Sequence, residues 1–499
     1  MKDLAAMAAA GSVLIDGEWQ EGQGPAFDVV DPATEQRLAS VLSASEAQVD
    51  AAIVAAGRAH TNGPWSRFSS RERSRLLARA STAIAAHAED LVYTVVREVG
   101  TPITLAHAIQ VGGPIENFAW YSAAAERGPR GGYEEGMPLH RTPAASSSIL
   151  SRGPVGVVVA MTAFNYPIQL LSWKLGGALA SGCATIVLPS PSGVLSTIHC
   201  LRVLEEADLP PGAVNLVVGG ADVGRHVTSA PGVDMVSFTG AAKTGARVMA
   251  QASATTKKVV LELGGKSPNI LLPSADIGAC VAPSILRFAR NAGQGCGATT
   301  RILVPRDRFA DFMAEATPFL ESLAVGDPFD PETVVGPLIN DRHRVWVEEM
   351  LESAVAGGAK IAAGGGRPAE PTGYYLNPAL VVDAPNDAEI CQEELFAPVA
   401  SVLPYDTVDD AISMANASRY GLNASIYGDP EEAMDVASRL RSGTVQVNGG
   451  GGLRPDVPWG GSGDSGGGRE MGEDGFAAFF AVKHVQWPLG GLAKPQGTG

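Results

Sequence analysis

The chain has 499 residues, 45% of them hydrophobic and 18% charged, with a formal net charge of −16 at pH 7. That balance fits a globular protein with a large core and room for about three domains of ordinary size. The acidity argues against nucleic acid or anionic membrane as a partner, because both are held through clustered Lys and Arg.

The opening "MKDLAAMAAAGSVLIDGEW" reads as a frayed end leading into a strand. Asp3 sits beside the only early lysine and the apolar part is mostly alanine, which does not suit a signal peptide. The segment 128–152, "RGPRGGYEEGMPLHRTPAASSSILS", is polar and reads by itself as a loop. Residues 155–161 form a continuous apolar run of strand length, suited to burial on both faces. Pro167 stands where a helix begins, and 167–180 is expected to be that helix. With a strand at 184–188 this makes a βαβ unit. Strands at 214–218, 234–238 and 258–263, with a helix at 241–252, extend it to a first doubly wound parallel sheet. The longest near-apolar stretch, 154–171, holds Asn165 and Pro167 and is not a membrane span.

A second alternating series starts near residue 269. Strands are expected at 301–305, 376–382, 399–404, 422–427 and 444–447, and helices at 307–323, 341–357, 407–417 and 430–442. The glycine-rich stretch 448–470 lies between apolar segments and reads as an ordered loop. The tail 476–489 alternates in part.

Cys183, Cys200, Cys280, Cys296 and Cys391 are scattered, with no CxxC pair. They make neither a disulfide framework nor a zinc site, and no metal is expected. A reducing compartment follows, most simply the cytoplasm. Cys296 differs from the others. In "NAGQGCGATT" (291–300), Gly293, Gly295 and Gly297 leave its sulfur uncovered and the backbone free to approach a ligand. A free cysteine usually packs as a small hydrophobe, so other residues must support a chemical role. Asn165 follows the strand 155–161, and Glu262 ends the strand 258–263, where open α/β sheets build their sites. A thiolate is a nucleophile, an amide N–H stabilises an oxyanion, and a carboxylate activates water. The set is chemically sufficient, but nothing in composition or spacing brings the three together.

Motifs across nearly the whole chain resemble the NAD(P)-dependent aldehyde dehydrogenase superfamily. They include "IDGEW" (15–19), "VVDPAT" (29–34), "PVGVVVAMTAFNYP" (154–167), "WKLGGALASG" (173–182) and "FTGAAKTG" (238–245). They continue with "LELGGKSPNI" (261–270), "GQGC" (293–296), "EELFAPV" (393–399), "PWGGSGDSGGGRE" (458–470) and "VKHV" (482–485). The pair LELGGKSP and GQxC, with 34 residues from Glu262 to Cys296, is the most specific of these.

The resemblance implies an α/β, aldehyde-dehydrogenase-like fold: two Rossmann-like doubly wound parallel-sheet lobes plus a small β oligomerisation element. It assigns 1–127 and 153–260 to a dinucleotide-binding domain and 261–448 to a catalytic domain. Segments 128–152 and 476–489 become oligomerisation strands, in a homodimer or homotetramer. It implies oxidation of a small-molecule aldehyde to the free acid. Cys296 would be the nucleophile that forms a thiohemiacetal and then a thioester, Asn165 the oxyanion amide and Glu262 the general base. Phe164, Lys174, Gly240, Gly245, Glu394 and Phe396 would border the cofactor, NAD or NADP with NAD slightly favoured. One departure concerns "TIVLPSP" (185–191). Leu188 and Pro191 stand where the family usually has a lysine and a glutamate for the adenosine ribose, and neither side chain can make that hydrogen bond. Two alternatives stay open: a cofactor-impaired binding or structural protein of the same fold, or a cysteine esterase.

Overall fold

A computed structural model describes residues 3–141, 145–369 and 372–489. Among the described residues, fifteen of twenty strands build the sheets of two α/β lobes with separate cores.

The first sheet has eight strands. They are β1 (Val13–Ile15), β2 (Glu18–Gln20), β7 (Val157–Thr162), β8 (Ala184–Pro189), β9 (Val214–Leu216), β10 (Met235–Thr239), β11 (Lys258–Glu262) and β19 (Gly466–Gly467). β3 (Ala26–Val30) and β4 (Arg37–Leu42) make a separate hairpin. The spatial order is β19-β11-β10-β7-β8-β9-β1-β2. The expected parallel arrangement holds only from β11 to β9, because both edges are antiparallel. β1 and β2 are joined at Asp16 and Gly17, with φ of 57° and 86°. That two-residue Asp-Gly turn forces an antiparallel pair.

The sheet is wound on both faces. Val158, Met235 and Val260 pack on Ala178 of the helix Pro167–Ser181. Val159, Val236 and Leu261, one residue on, join the other core with Val248 of the helix Ala242–Ala252. Pro167 opens its helix and Gly182, at φ 95°, closes it.

The second sheet comprises β12 (Pro268–Leu271), β13 (Arg301–Pro305), β14 (Lys360–Gly364), β15 (Ala379–Val382), β16 (Val399–Tyr405), β17 (Asn423–Tyr427) and β18 (Thr444–Val447). Its order is β14-β15-β16-β13-β12-β17-β18, antiparallel only at β14. A third sheet joins β5 (Glu134–Gly136), β6 (Ser146–Pro154) and β20 (Phe480–Pro488) in the order β20-β6-β5. The polar segment 128–152 is therefore partly strand, although its residues 142–144 lie outside the described residues. Phe476 belongs to the short helix Gly472–Ala477 rather than to the strand.

The N-terminus departs from the expected frayed end. Leu4–Ala9 is a helix capped by the Asp3 carboxylate, with Leu4 and Met7 buried. Its apolar spacing, rather than its distance from the chain end, decides the outcome. Among the described residues no helix is long and apolar enough to cross a membrane, and no cluster of His, Cys, Asp and Glu could hold a metal ion.

Candidate active site

The helix Ile277–Ala289 leads into three successive left-handed residues, Asn291, Ala292 and Gly293, at φ 54°, 52° and 70°. Two of them are not glycine, so the turn is strained and must be held from outside. Asn291 is held by its side chain: Oδ1 accepts from Thr101 Oγ1 at 2.9 Å, and Nδ2 donates to the Asn165 and Gln294 carbonyls at 3.3 Å each. A β-carbon at Gly293 would lie 2.1 Å from the Ala397 carbonyl. Only glycine lets this turn rest on the "EELFAPV" segment.

Asn165 sits in the loop after β7, buried, and its Nδ2 donates to the Gln294 carbonyl at 2.9 Å. Gln110 Nε2 fixes the same loop by donating to the Asn165 carbonyl at 2.8 Å. Gln294 accepts from the Ile339 amide at 2.9 Å through its own side chain. Asn165 and the Cys296 turn are thus tied together although 129 residues separate Asn165 from Gln294.

The three glycines do not leave Cys296 uncovered. The thiol is half-buried and packs against a cluster of Leu170, Trp173, Leu422, Trp459 and Met471, on which Ala163 and Tyr166 also pack. The space a side chain would take at Gly297 is filled by the Trp459 ring, 3.0 Å from the β-carbon position, and Tyr166 Oη stands 3.8 Å from that position at Gly295. The glycines admit aromatic walls. Loss of hydration in this enclosure pushes the Cys296 thiol up to about 12, and the nearby charges of Glu262 and Glu394 push the same way.

Glu262 ends β11, paired with Thr239 of β10 and Gly466 of β19. It is 2% exposed and neither carboxylate oxygen has a hydrogen-bond partner. Burial, and then Glu470, hold its carboxyl well above the usual range, while Lys174 and Arg469 pull it down. Lys174 is fully enclosed on the helix Pro167–Ser181, with its ammonium on Glu470 and on Ser237 Oγ at 3.1 Å. Ser237 Oγ donates to Glu470 Oε1 at 2.8 Å. Sequence reasoning assigns neither Ser237 nor Glu470. The only signal for Glu470 is an acid inside the glycine-rich motif 458–470; Gln110 and Asn291 give none.

Of the other expected cofactor residues, Phe164 and Gly240 follow β7 and β10, and Glu394 and Phe396 meet the loops after β11 and β7. Phe164 and Phe396 meet edge to face, ring centroids 5.8 Å apart. Glu394 Oε1 accepts from the Gly265 amide at 3.0 Å, and burial pushes its carboxyl up to about 7. A β-carbon at Gly264 would overlap Glu394 Oε2. Gly240 precedes the helix Ala242–Ala252, whose first turn has no side-chain cap, and a β-carbon at Gly245 would stand 2.5 Å from Leu263. An uncapped helix start with close backbone approach suits a pyrophosphate. Leu188 is buried at the end of β8, on the face that carries Met161 and the helix Ala221–Ser229, and adds no polar group there. The uncapped helix start, the close-packed glycines and the buried Glu394 fit a dinucleotide.

A model of the aldehyde dehydrogenase family matches residues 19–485. The chain is 34% identical over 478 residues to geranial dehydrogenase of Castellaniella defragrans, covering 95% of this chain and 98% of that one. It is 35% identical over 481 residues to betaine aldehyde dehydrogenase of Bacillus subtilis, covering 95% and 96%. Betaine aldehyde dehydrogenase of Staphylococcus aureus in complex with NAD+ superposes with a TM-score of 0.93 at 31% identity, covering 98% of this chain and 97% of that one. A mutant aldehyde dehydrogenase C of Pseudomonas syringae with NAD+ and octanal superposes with a TM-score of 0.90 at 36% identity, covering 95% and 96%.

Proposed function

The chain belongs to the aldehyde dehydrogenase family, and from that premise we propose that Cys296, Glu262 and Asn165 carry its oxidation of an aldehyde to the free acid. The supporting observation is the pair Glu262 and Cys296. A carboxyl with no hydrogen-bond partner lies close enough to a half-buried thiol for its charge to raise that thiol.

Cys296, once deprotonated, attacks the carbonyl carbon to give a thiohemiacetal. The Asn165 amide, braced by Gln294 and Gln110, and the Cys296 N–H stabilise the oxygen that gains charge. Phe164, Phe396, Glu394, Gly240 and Gly245 hold NAD(P), which supplies the hydride acceptor. Glu262 takes a proton from water as that water attacks the thioester. Lys174 and Glu470 sit behind Glu262 and set how readily it takes the proton. Lys174 therefore serves the base rather than the dinucleotide. Leu188 and Pro191 weaken the hold on the adenosine ribose and leave little discrimination between NAD and NADP. Separate titrations of the two nucleotides test this: tight NAD binding with strong rejection of NADP overturns it.

The substrate is an apolar or aromatic aldehyde. The cluster of Leu170, Trp173, Leu422, Trp459 and Met471 packs against the thiol with Tyr166 on the same cluster, and Arg454 of the 449–457 loop is occupied by Asp456 at 2.6 Å. The two-domain division, with 1–127 and 153–260 holding the dinucleotide and 261–448 the nucleophile, is part of the same reading, as is the cytoplasm as its place. Two copies pair through β20, an edge strand with Val482, Val485 and Trp487 exposed.

Rapid-mixing measurement of nicotinamide reduction with octanal tests the roles. Cys296→Ala must abolish it. Glu262→Gln must keep one turnover per site and lose the steady rate. Steady turnover in Glu262→Gln would sink the assignment.

A further inference from the structure

The helix Ile277–Ala289 ends in two arginines, Arg287 in its last turn and Arg290 at its C-cap. Between Asp276 and Asp307 the chain carries no acid. Arg287 is half-buried and spends one donor on the Gly449 carbonyl at 3.5 Å. The exposed Arg290 guanidinium makes no hydrogen bond and no ion pair among the described residues. The negative end of a helix accommodates a cation, but two cations three residues apart repel each other. In the loop that begins at Gly449, Arg454 holds Asp456 at 2.6 Å. Arg287 and Arg290 have no such acid.

Arg290 immediately precedes the left-handed turn 291–293 that leads to Cys296. Tyr166 connects the two. Its Oη stands 3.8 Å from the β-carbon position at Gly295, beside the nucleophile. Burial raises the Tyr166 phenol most, Cys296 raises it further, and the Arg290 charge lowers it. One ring therefore lies within electrostatic reach of both the thiol and the guanidinium.

We propose that Arg290, backed by Arg287, binds the far end of the substrate, and that this end is a carboxylate. The substrate is an ω-oxo acid. Its aldehyde carbon meets Cys296, its apolar stem lies against Tyr166, Trp173 and Trp459, and its carboxylate takes the guanidinium fork. With Cys296 as the nucleophile, on which this rests, Arg290 becomes a specificity residue. The oxidation itself is unchanged: aldehyde and water give a second carboxylate, the hydride goes to NAD(P), and two protons go to solvent.

ω-Oxo acids of four to eight carbons, each set against the neutral aldehyde of the same length, test this. The wild type is expected to prefer the acid at one length or more. Arg290→Met must lower the ratio of kcat/KM for that acid over its neutral partner about tenfold, mostly through KM, as loss of an exposed charge-assisted contact does. Arg290→Lys must restore part of the ratio, because its charge remains. Added salt must lower the ratio in the wild type and hardly in Arg290→Met. No preference at any length, or a preference that survives Arg290→Met, overturns the proposal. Oxidation of neutral aldehydes with every acid refused would remove Arg290 from recognition and leave Cys296 in its role. Nucleotide reduction by neither class would sink both.

Discussion

A β-carbon at Gly460 would stand 2.6 Å from Oε1 of Glu262, so that carboxyl occupies room that only glycine leaves. Gly460 also lies at φ 155° and is hemmed by the Gly468 carbonyl at 2.9 Å. Gly460→Ala is expected to displace the carboxyl and cut steady turnover on the order of 100-fold, the usual penalty for a misplacement near 1 Å. The first turnover of nicotinamide reduction should survive. Equal loss of both phases would show that Gly460 shapes more than the base.

Glu262 works only when ionised, and its carboxyl is held well above the usual range, so acid release must rise with pH through that raised value. Glu470 raises it and Lys174 lowers it. Glu470→Gln should move the acidic limb of steady turnover to lower pH, and Lys174→Met should move it to higher pH. Lys174→Met also strands a buried carboxylate, at a cost of about 3–5 kcal/mol to stability. Profiles that shift together, or not at all, would remove Lys174 and Glu470 from the base's control.

Charge from Glu394 helps to keep the Cys296 thiol protonated, after burial and Glu262. Glu394 itself ionises at about 7. Glu394→Gln should therefore speed alkylation of Cys296 by iodoacetamide at pH 8 severalfold, and hardly at pH 6. An unchanged rate at pH 8 would mean that the two groups do not feel each other.

Much of the frame is legible in the sequence where local rules suffice. The run 155–161 is apolar throughout, and Pro167 and Gly182 punctuate the helix between them. The strand expected after the opening segment is found as β1, but β2 and β19 are not legible, because they are three and two residues long and carry no periodicity. Reading by alternation also passes over the helices Glu46–Thr61 and Ser70–Ala86, although Ser45 with Gln48 and Ser69 with Glu72 form capping boxes. In the site, Cys296 and Glu262 stand out through their glycine-rich surroundings. Glu470 does not, since its partner Ser237 lies 233 residues away and its meaning arises only on folding.

Stability should fall with rising pH between about 4.5 and 7 for a reason far from the chemistry. Glu98 is buried at the start of the helix Val194–Leu204, where it accepts from the Leu195 and Ser196 amides at 2.6 and 2.7 Å. Burial pushes its carboxyl from 4.5 up to about 7. The folded state therefore keeps a proton that the unfolded chain releases, and the contribution present below 4.5 is lost as pH passes 7. The swing amounts to about 3 kcal/mol. Urea melts at pH 5 and pH 8 should show it, and Glu98→Gln should flatten it. A variant with the wild-type slope would place the titration elsewhere.

Trp459 and Glu470 follow Cys296 and Glu262 in the chain, so a ribosome adds them later. Until the segment carrying β19 folds back onto β11, a nascent chain exposes its thiol in an open, hydrated groove, with its carboxyl unscreened beside it. The enclosure that later silences the sulfur is thus missing during synthesis, when stray oxidants reach it most easily. A chain cut short before Trp459 would lack that ring and β19, and leave the sulfur more open for good.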